Sequence, residues 1–208
     1  MKLYALPMAC SLASHIAAYE ADLPIDVDYI DNASKTTSDG RNYLAIAANG
    51  YVPAIELPSG EVLNENASVL QYLADRKPES RLAPAWGTTE RYQLIDTLNY
   101  LGTEVHKRIF AFLFPPATPE ASKEVARSLL APTLDRIAQR LGARSYLVGE
   151  SFTVADAYLV TLLNWFNFVG VDLAKWPTIA AYHRRHLERP AVQRAMAEEM
   201  AERQKRAA

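Results

Sequence analysis

Cys10 is the single cysteine of the chain, and its setting makes it a chemical candidate. It follows a short β-like run, Lys2 to Leu6, and opens the helical spacing of Ser11 to Ala21. Unpaired backbone N–H groups and the dipole at a helix start stabilise negative charge, which lowers a thiol's pKa and makes a thiolate available. Against this stands the ordinary role of a lone cysteine as a small buried hydrophobe. Ala13 stands where a CxxC pair would carry its second thiol. A dithiol cycle within the chain is therefore excluded, and any partner thiol comes from another molecule.

Three other groups have spacing that suits chemistry. Val52-Pro53 follows Gly50-Tyr51 and precedes a strand. A cis X-Pro turn fits this position, and so does a trans proline at the first residue of the strand. In the cis form the Val52 backbone N–H and C=O would pair with an extended peptide, as in β-strand addition. Glu65-Asn66 opens a helix after a hairpin. Read as plain capping, Asn66 is the N-cap and Glu65 is solvated. Read as a binding site, the free N–H donors take a carboxylate and Glu65 takes an ammonium, the two ends of one amino-acid group. The third group lies on a long helical pattern from Thr88 to Leu113. At about 100° per residue, Leu94, Leu98, Leu101, Val105, Ile109 and Phe112 form an apolar stripe. Asp96, Asn99, Thr103, His106, Lys107 and Phe110 form a second, polar stripe. This stripe is either a solvated face or the wall of a cleft between two domains, in which Asn99, Thr103 and His106 reach a ligand. A histidine there can donate a hydrogen bond to a thiolate or act as an acid or base. Trp165 reads as core or as a ligand contact.

The elements that must position these residues differ between the two halves of the chain. The first 77 residues read β-α-β-α-β-β-α: strands at 2–6, 25–29, 54–57 and 61–63, helices at 11–21 and 66–76, and a weaker helix at 41–48. Residues 78–87, with Pro78, Pro84 and Gly87, read as a linker. The rest, 88–208, reads as all-helical, with helices at 88–113, 120–142, 154–168, 177–188 and 190–204 and a Pro-rich break at Pro115, Pro116 and Pro119. Thr153-Val154-Ala155-Asp156 matches a capping box and marks a structural helix start. The expected architecture is a small α/β domain joined to an all-α domain.

Composition narrows the function classes. The chain has 208 residues, is 50% hydrophobic and 22% charged, and carries a formal charge of −2. These values suit a globular enzyme-sized protein and argue against nucleic-acid binding. One cysteine allows no intrachain disulfide and no Cys₃ or Cys₄ zinc site, so no metal is expected. No apolar run approaches the length of a membrane span. The first 20 residues contain His15 and Glu20 and no signal-peptide core, so a cytoplasmic location is expected.

Taken together, these residues resemble the glutathione S-transferases, most closely the bacterial beta class. The resemblance rests on five segments in order: MKLYALPMACSLASHI, NGYVPAIEL, LNENASVLQYLAD, LNYLGTEVHK and SFTVADAYL. It implies a thioredoxin-like N-terminal domain (1–77), a linker (78–87), an all-helical domain (88–208) that contributes the electrophile pocket, and a homodimer. Glutathione is the implied co-substrate, a small electrophile the second substrate. Cys10 and His106 are the implied catalytic residues. Cys10 would face the glutathione sulfur, Val52 beside Pro53 would pair with its cysteinyl backbone, and Glu65 and Asn66 would hold the γ-glutamyl end. Lys35 matches a position near the glycyl carboxylate. Asn99, Thr103, Glu104 and His106 match positions that close the site from the helical domain. Met8, Phe110, Leu113 and Trp165 are assigned to the electrophile pocket by placement. Ala5 stands where beta-class members often have an aromatic residue, Met8 where they have glycine, and Asn66 where the wider family often uses serine. Tyr51 replaces a frequent glutamine. The expected reaction is conjugation of the glutathione thiolate to an aryl halide, epoxide or similar electrophile, with thiol-transferase or peroxidase chemistry through Cys10. The alternatives are a non-catalytic scaffold that carries apolar ligands or docks a protein, and a glutathione-dependent dehalogenase or isomerase.

Overall fold

The computed structural model describes residues 1–207. The chain forms two compact units, one of Met1–Ala83 together with the chain from Glu188 onward, the other of Pro84–Leu187. In the first, β1 (Lys2–Ala5), α1 (Ser11–Glu20), β2 (Asp26–Tyr29), β3 (Ala54–Glu56), β4 (Val62–Leu63) and α2 (Asn66–Arg76) follow in order. The sheet runs β2-β1-β3-β4, with β1 parallel to β2 and antiparallel to β3, and β3 antiparallel to β4. The parallel β1–α1–β2 unit followed by a hairpin and a helix is the thioredoxin-like arrangement expected from the sequence.

Alternation along β1 divides its side chains between the two faces of the sheet. Tyr4 joins Ile30, Tyr43 and Ala54 in one buried cluster, with Val52 and Val62 packed against it. Helices α1 and α2 pack on one another and on the sheet, burying Leu12, Ile16, Val69, Leu70 and Leu73 completely. The helix expected at 41–48 is a single 3₁₀ turn, Tyr43–Ala45, in which the Asn42 side chain accepts from the Leu44 N–H.

In the second unit, α3 (Thr89–Tyr100) runs on into a π-helical segment (Leu101–Phe110) and a last α-turn, α4 (Ala111–Leu113). Then come α5 (Glu120–Ser128), α6 (Leu130–Leu141), α7 (Val154–Phe168) and α8 (Pro177–Leu187). The single helix expected over 120–142 is broken at Leu129. Pro132, three residues on, has no N–H to give the carbonyl of Ser128, so the ladder cannot pass uninterrupted. The capping box at α7 forms as read: Thr153 and Asp156 cap one another reciprocally.

The last helix, α9 (Pro190–Ala207), corrects the domain boundary read from the sequence. It belongs to the first unit, not to the helical one, and packs along α1. Arg189 makes two hydrogen bonds to Glu20, at 2.6 and 2.7 Å. Arg206 donates to the carbonyls of Ile30 and Tyr29 at the end of β2. The apolar spacing of a helix shows that it needs a partner but not which one.

Candidate functional site

The site in the first unit is built on the turn between β1 and α1. The Ser11 hydroxyl accepts from the Leu6 N–H at 3.1 Å and donates to the Leu6 carbonyl at 3.2 Å, closing the loop that carries Cys10. Met8 takes a left-handed conformation, φ 63°, in which a residue with a Cβ is held only by its surroundings. What holds it is Glu199 of α9, whose carboxylate accepts from the Met8 N–H at 2.6 Å. The same carboxylate meets His15 Nδ1 at 3.1 Å, and both side chains are fully buried. Burial pushes the Glu199 pKa up, and the bonds from His15 and Met8 oppose it. His15 and Glu199 are site-supporting residues that sequence reasoning missed. A separation of 184 positions leaves no local signal.

Cys10 already has helical backbone angles, and it is 8% exposed. Its Sγ donates to the Val52 carbonyl at 3.0 Å. The Val52–Pro53 bond is cis, which decides between the two readings of that segment. The thiol and the backbone ahead of the proline thus meet in one place. Tyr51 is exposed, and its carbonyl accepts from the Tyr43 hydroxyl at 2.6 Å. The hydroxyls of Ser11, Tyr4 and Tyr43 are all engaged elsewhere. Ser11 is committed to Leu6, and Tyr4 donates to Glu56 at 2.6 Å while accepting from Arg41. Burial, with the Glu56 carboxylate beside it, pushes the Tyr4 phenol up to about 12.

At the start of α2 the roles of the two candidate residues are the reverse of the capping reading. Glu65 is the N-cap, its side chain makes no capping bond, and Asn66 is the first helical residue. Glu65 is exposed and sits at φ 64°, ψ 120°. Such a conformation costs a residue with a Cβ of order 1–3 kcal/mol and tends to persist at ligand sites. The helix ladder begins with the Ser68 and Val69 N–H groups, both on the Glu65 carbonyl at 3.0 Å. The Asn66 and Ala67 N–H groups lie ahead of it and point out of the helix start, where anions are favoured. Asn66 is 7% exposed, and its Oδ1 accepts from the Ser14 hydroxyl of α1 at 3.0 Å. Lys35 also has a positive φ, 54°. Its ammonium donates to Asn32 at 2.7 Å and to the Gly50 carbonyl at 2.9 Å, leaving one of three donors for a ligand. Gly50 beside it has φ +62°, and a Cβ there would lie 2.9 Å from the tip of the Leu44 side chain, which would have to shift.

In the second unit the candidate residues gather around the π-helical segment. Hydrogen bonds of the i→i+5 type widen each turn, so the phase drifts from that of an α-helix. Leu101, Val105 and Ile109 stay buried as expected, but Phe110 is buried in place of Phe112, which is 45% exposed. The polar stripe therefore does not continue to Phe110. His106 Nδ1 lies 2.7 Å from the Tyr158 hydroxyl, and its ring meets Trp165 edge-on at 4.9 Å. Burial, and then the charge of Lys107, bring its pKa down to about 4. At neutral pH it is an uncharged imidazole, a hydrogen-bonding group and not a cation. Thr103 donates to the Asn99 carbonyl at 3.0 Å, and Glu104 pairs with Arg108 at 2.7 Å. Phe110 and Trp165, 1% and 5% exposed, pack edge to face at 5.2 Å, and Leu113 is half-buried. The open member of this aromatic cluster is Phe114, stacked on Phe110 at 5.2 Å and 44% exposed. Sequence reasoning passed over Phe114, although its spacing of four from Phe110 was the available signal. Met8, assigned to the same pocket, is 8% exposed and sits in the first unit's loop.

Comparison with known proteins agrees with this geometry. Two family models match: the glutathione S-transferase N-terminal domain over residues 7–76 and the glutathione S-transferase C-terminal domain over residues 104–190. The chain is 40% identical over 199 residues to glutathione S-transferase GstA of Escherichia coli O157:H7, covering 96% of this chain and 98% of that protein. A sphingomonad glutathione S-transferase solved with glutathione superposes with a TM-score of 0.93 at 41% identity, covering 96% of this chain and 98% of that one. The bacterial beta-class enzyme of Sphingomonas chungbukensis superposes with a TM-score of 0.92 at 40% identity, over the same shares of the two chains. Among the described residues no helix is long and apolar enough to cross a membrane. With both family domains matched and near-complete coverage by relatives at this identity, the chain belongs to the glutathione S-transferase family.

Proposed function

We propose that this protein is a cytoplasmic, homodimeric glutathione transferase that joins the glutathione sulfur to small electrophiles. The observation that carries this reading is the meeting of Cys10 Sγ and the Val52 carbonyl at 3.0 Å beside a cis proline. Around it stand a positive-φ Glu65 and the open helix start at Asn66. In this assignment the Val52 backbone pairs with the cysteinyl part of glutathione. Glu65 takes the γ-glutamyl ammonium, the first turn of α2 takes its α-carboxylate, and Lys35 takes the glycyl carboxylate. Asn99, Thr103, Glu104 and neutral His106 keep the roles the resemblance implies. Phe114, backed by the buried rings of Phe110 and Trp165 and with Leu113 alongside, is the apolar surface assigned to the electrophile. In conjugation, the glutathione thiolate forms the new S–C bond and the leaving group departs with the electron pair of the broken bond.

Cys10 supports a second reaction of the same site. Its thiolate attacks the glutathione sulfur of a mixed disulfide, the other thiol leaves, and a Cys10–glutathione disulfide remains. A glutathione thiolate then releases oxidised glutathione and restores the thiol. With no second cysteine in the chain, glutathione must be the resolving thiol. The test is calorimetric titration with glutathione followed by turnover with an aryl halide, a hydroperoxide and a mixed disulfide. Glu65→Ala should weaken glutathione binding at least about tenfold, as expected when one partner of a charged hydrogen bond is lost. Absence of both glutathione binding and glutathione-dependent turnover in the wild type overturns the reading. Light scattering should give about twice the chain mass of 23.1 kDa, and a monomeric mass overturns the dimer.

A further inference from the structure

The sequence leaves His106 with two roles, hydrogen-bond donor or base, and one hydrogen bond in the structure separates them. A neutral imidazole carries its proton on one nitrogen, and the bond made by the other nitrogen decides which. His106 Nδ1 lies 2.7 Å from the Tyr158 hydroxyl. That length is usual for a bond donated by a hydroxyl and shorter than the usual N–H bond of about 2.9–3.0 Å. Acidity points the same way. A phenol, with a pKa of about 10, is the better donor, and an imidazole nitrogen, with one of about 6.5, is the better acceptor. The Tyr158 O–H therefore donates to Nδ1.

Helix α7 holds this geometry from one face. Tyr158 and Trp165 stand two turns apart along it. Both are buried, and the Trp165 ring meets His106 edge-on at 4.9 Å. A half-turn of the imidazole would put a ring carbon in the place of Nδ1 and lose the bond, so orientation and proton are fixed together. Burial and the charge of Lys107 keep the ring neutral. His106 is half-buried, and its Nε2 is not sealed off from solvent. We infer that Tyr158 is a positioning residue that holds the His106 proton on Nε2, so that His106 enters the reaction as an N–H donor and not as a base. The part in the reaction rests on the functional reading above. In this form the open nitrogen has no lone pair, so the ring can support a thiolate but cannot take a thiol's proton. Without the phenol the two tautomers compete, and every Nδ1–H ring turns a lone pair outward from Nε2.

The test is nitrogen-15 NMR of the histidine rings in the ligand-free protein at neutral pH, with turnover as a second readout. The chain has four histidines, and the signals lost in His106→Asn identify the ring. Wild type should show one tautomer, with the proton on Nε2 and Nδ1 shifted as a hydrogen-bond acceptor. Tyr158→Phe keeps the buried ring and removes only the hydroxyl. Its Nδ1 signal should move to that of an unbonded nitrogen, and the Nδ1–H tautomer should appear beside the other. Its kcat with glutathione and an aryl halide should fall about threefold to tenfold, the scale of one hydrogen bond. KM for glutathione should stay within about twofold, because the residues assigned to hold glutathione are untouched. A wild-type proton on Nδ1 overturns the assignment whether or not the variant folds. An Nδ1 signal unmoved in Tyr158→Phe, an unchanged kcat, or a loss carried by KM alone overturns it as well. A wild-type protein that binds no glutathione overturns the functional reading and leaves the tautomer to the spectrum.

Discussion

Replacing Glu199 by alanine should loosen the Cys10 loop from a distance of 189 positions in the chain. The carboxylate accepts from the Met8 N–H at 2.6 Å and faces His15 Nδ1 at 3.1 Å, with no solvent exposure at Glu199 or His15. Alanine removes the acceptor of the Met8 N–H and the group that meets His15 Nδ1, at roughly 1–3 kcal/mol for each buried bond lost. It also opens a space between α1 and α9. From the two bonds lost and the space opened we expect a loss of about 3–5 kcal/mol, within the range for breaking one side of a buried polar pair. That is a large share of the roughly 5–15 kcal/mol that holds a native protein together. Urea unfolding followed by circular dichroism should show a midpoint lower by about 1–2 M at an ordinary slope. Glu199→Gln keeps a carbonyl for Met8 and a polar group for His15, and it should lose less than about 1.5 kcal/mol. The functional readout is the rate at which iodoacetamide alkylates Cys10 in the absence of denaturant. Release of Met8 from its left-handed conformation should raise that rate in Glu199→Ala and leave it nearly unchanged in Glu199→Gln. An alanine variant within about 0.5 kcal/mol of wild type, the ordinary scatter of neutral substitutions, would refute the reasoning. So would equal stability of the alanine and glutamine variants.

Three further outcomes are expected. Asp156 accepts from the Leu147 and Thr153 N–H groups and from the Thr153 and Tyr182 hydroxyls, all at 2.7–2.8 Å and without solvent exposure. Asp156→Ala should therefore cost more than about 4 kcal/mol or prevent folding of the helical unit, and a variant that unfolds like wild type would refute the central place given to the capping box. Burial brings the His106 pKa down to about 4 in the folded protein, against about 6.5 in an unfolded chain. The unfolded state thus takes up a proton that the folded state refuses, and stability falls as the pH drops from 6.5 toward 4, by about 2–3 kcal/mol. Burial brings His183 down to about 4 as well, so His106→Asn should remove about half of that slope, and an unchanged slope would refute the contribution assigned to His106. Oxidised glutathione should add one reducible glutathione per chain, seen by intact mass, and Cys10→Ala should show no adduct. If native Cys10 resists both oxidised glutathione and alkylation until the protein unfolds, it is a structural thiol and the disulfide chemistry is wrong.

Local chemistry made much of the frame legible. The period-two runs around Tyr4 and Ile55, the hairpin at Pro58–Gly60, the capping box at Thr153 and the helix start after Cys10 all depend on neighbours a few residues apart. Such short-range signals are written into the order of side chains. They located the β-α-β frame, the start of α2 and the core of α7. They also placed Cys10, Val52, Glu65 and Asn66 at the element ends where the structure has them. What the sequence could not determine depends on contacts between distant segments or on hydrogen-bond geometry. The partner of α9 was one such choice, settled by the buried Glu199 and the Arg189–Glu20 pair. The phase of the segment from Leu101 to Phe110 was another: the same residues lie on different faces of an α-helix and a π-helix, and the ring taken into the core became Phe110 and not Phe112. The charge of His106 was a third, because its burial depends on Tyr158 and Trp165, more than fifty positions away. The sequence by itself determined which residues could do chemistry. Only the tertiary structure decided their protonation, orientation and support, because desolvation and hydrogen bonding are set by what surrounds a group in space and not by what adjoins it in the chain.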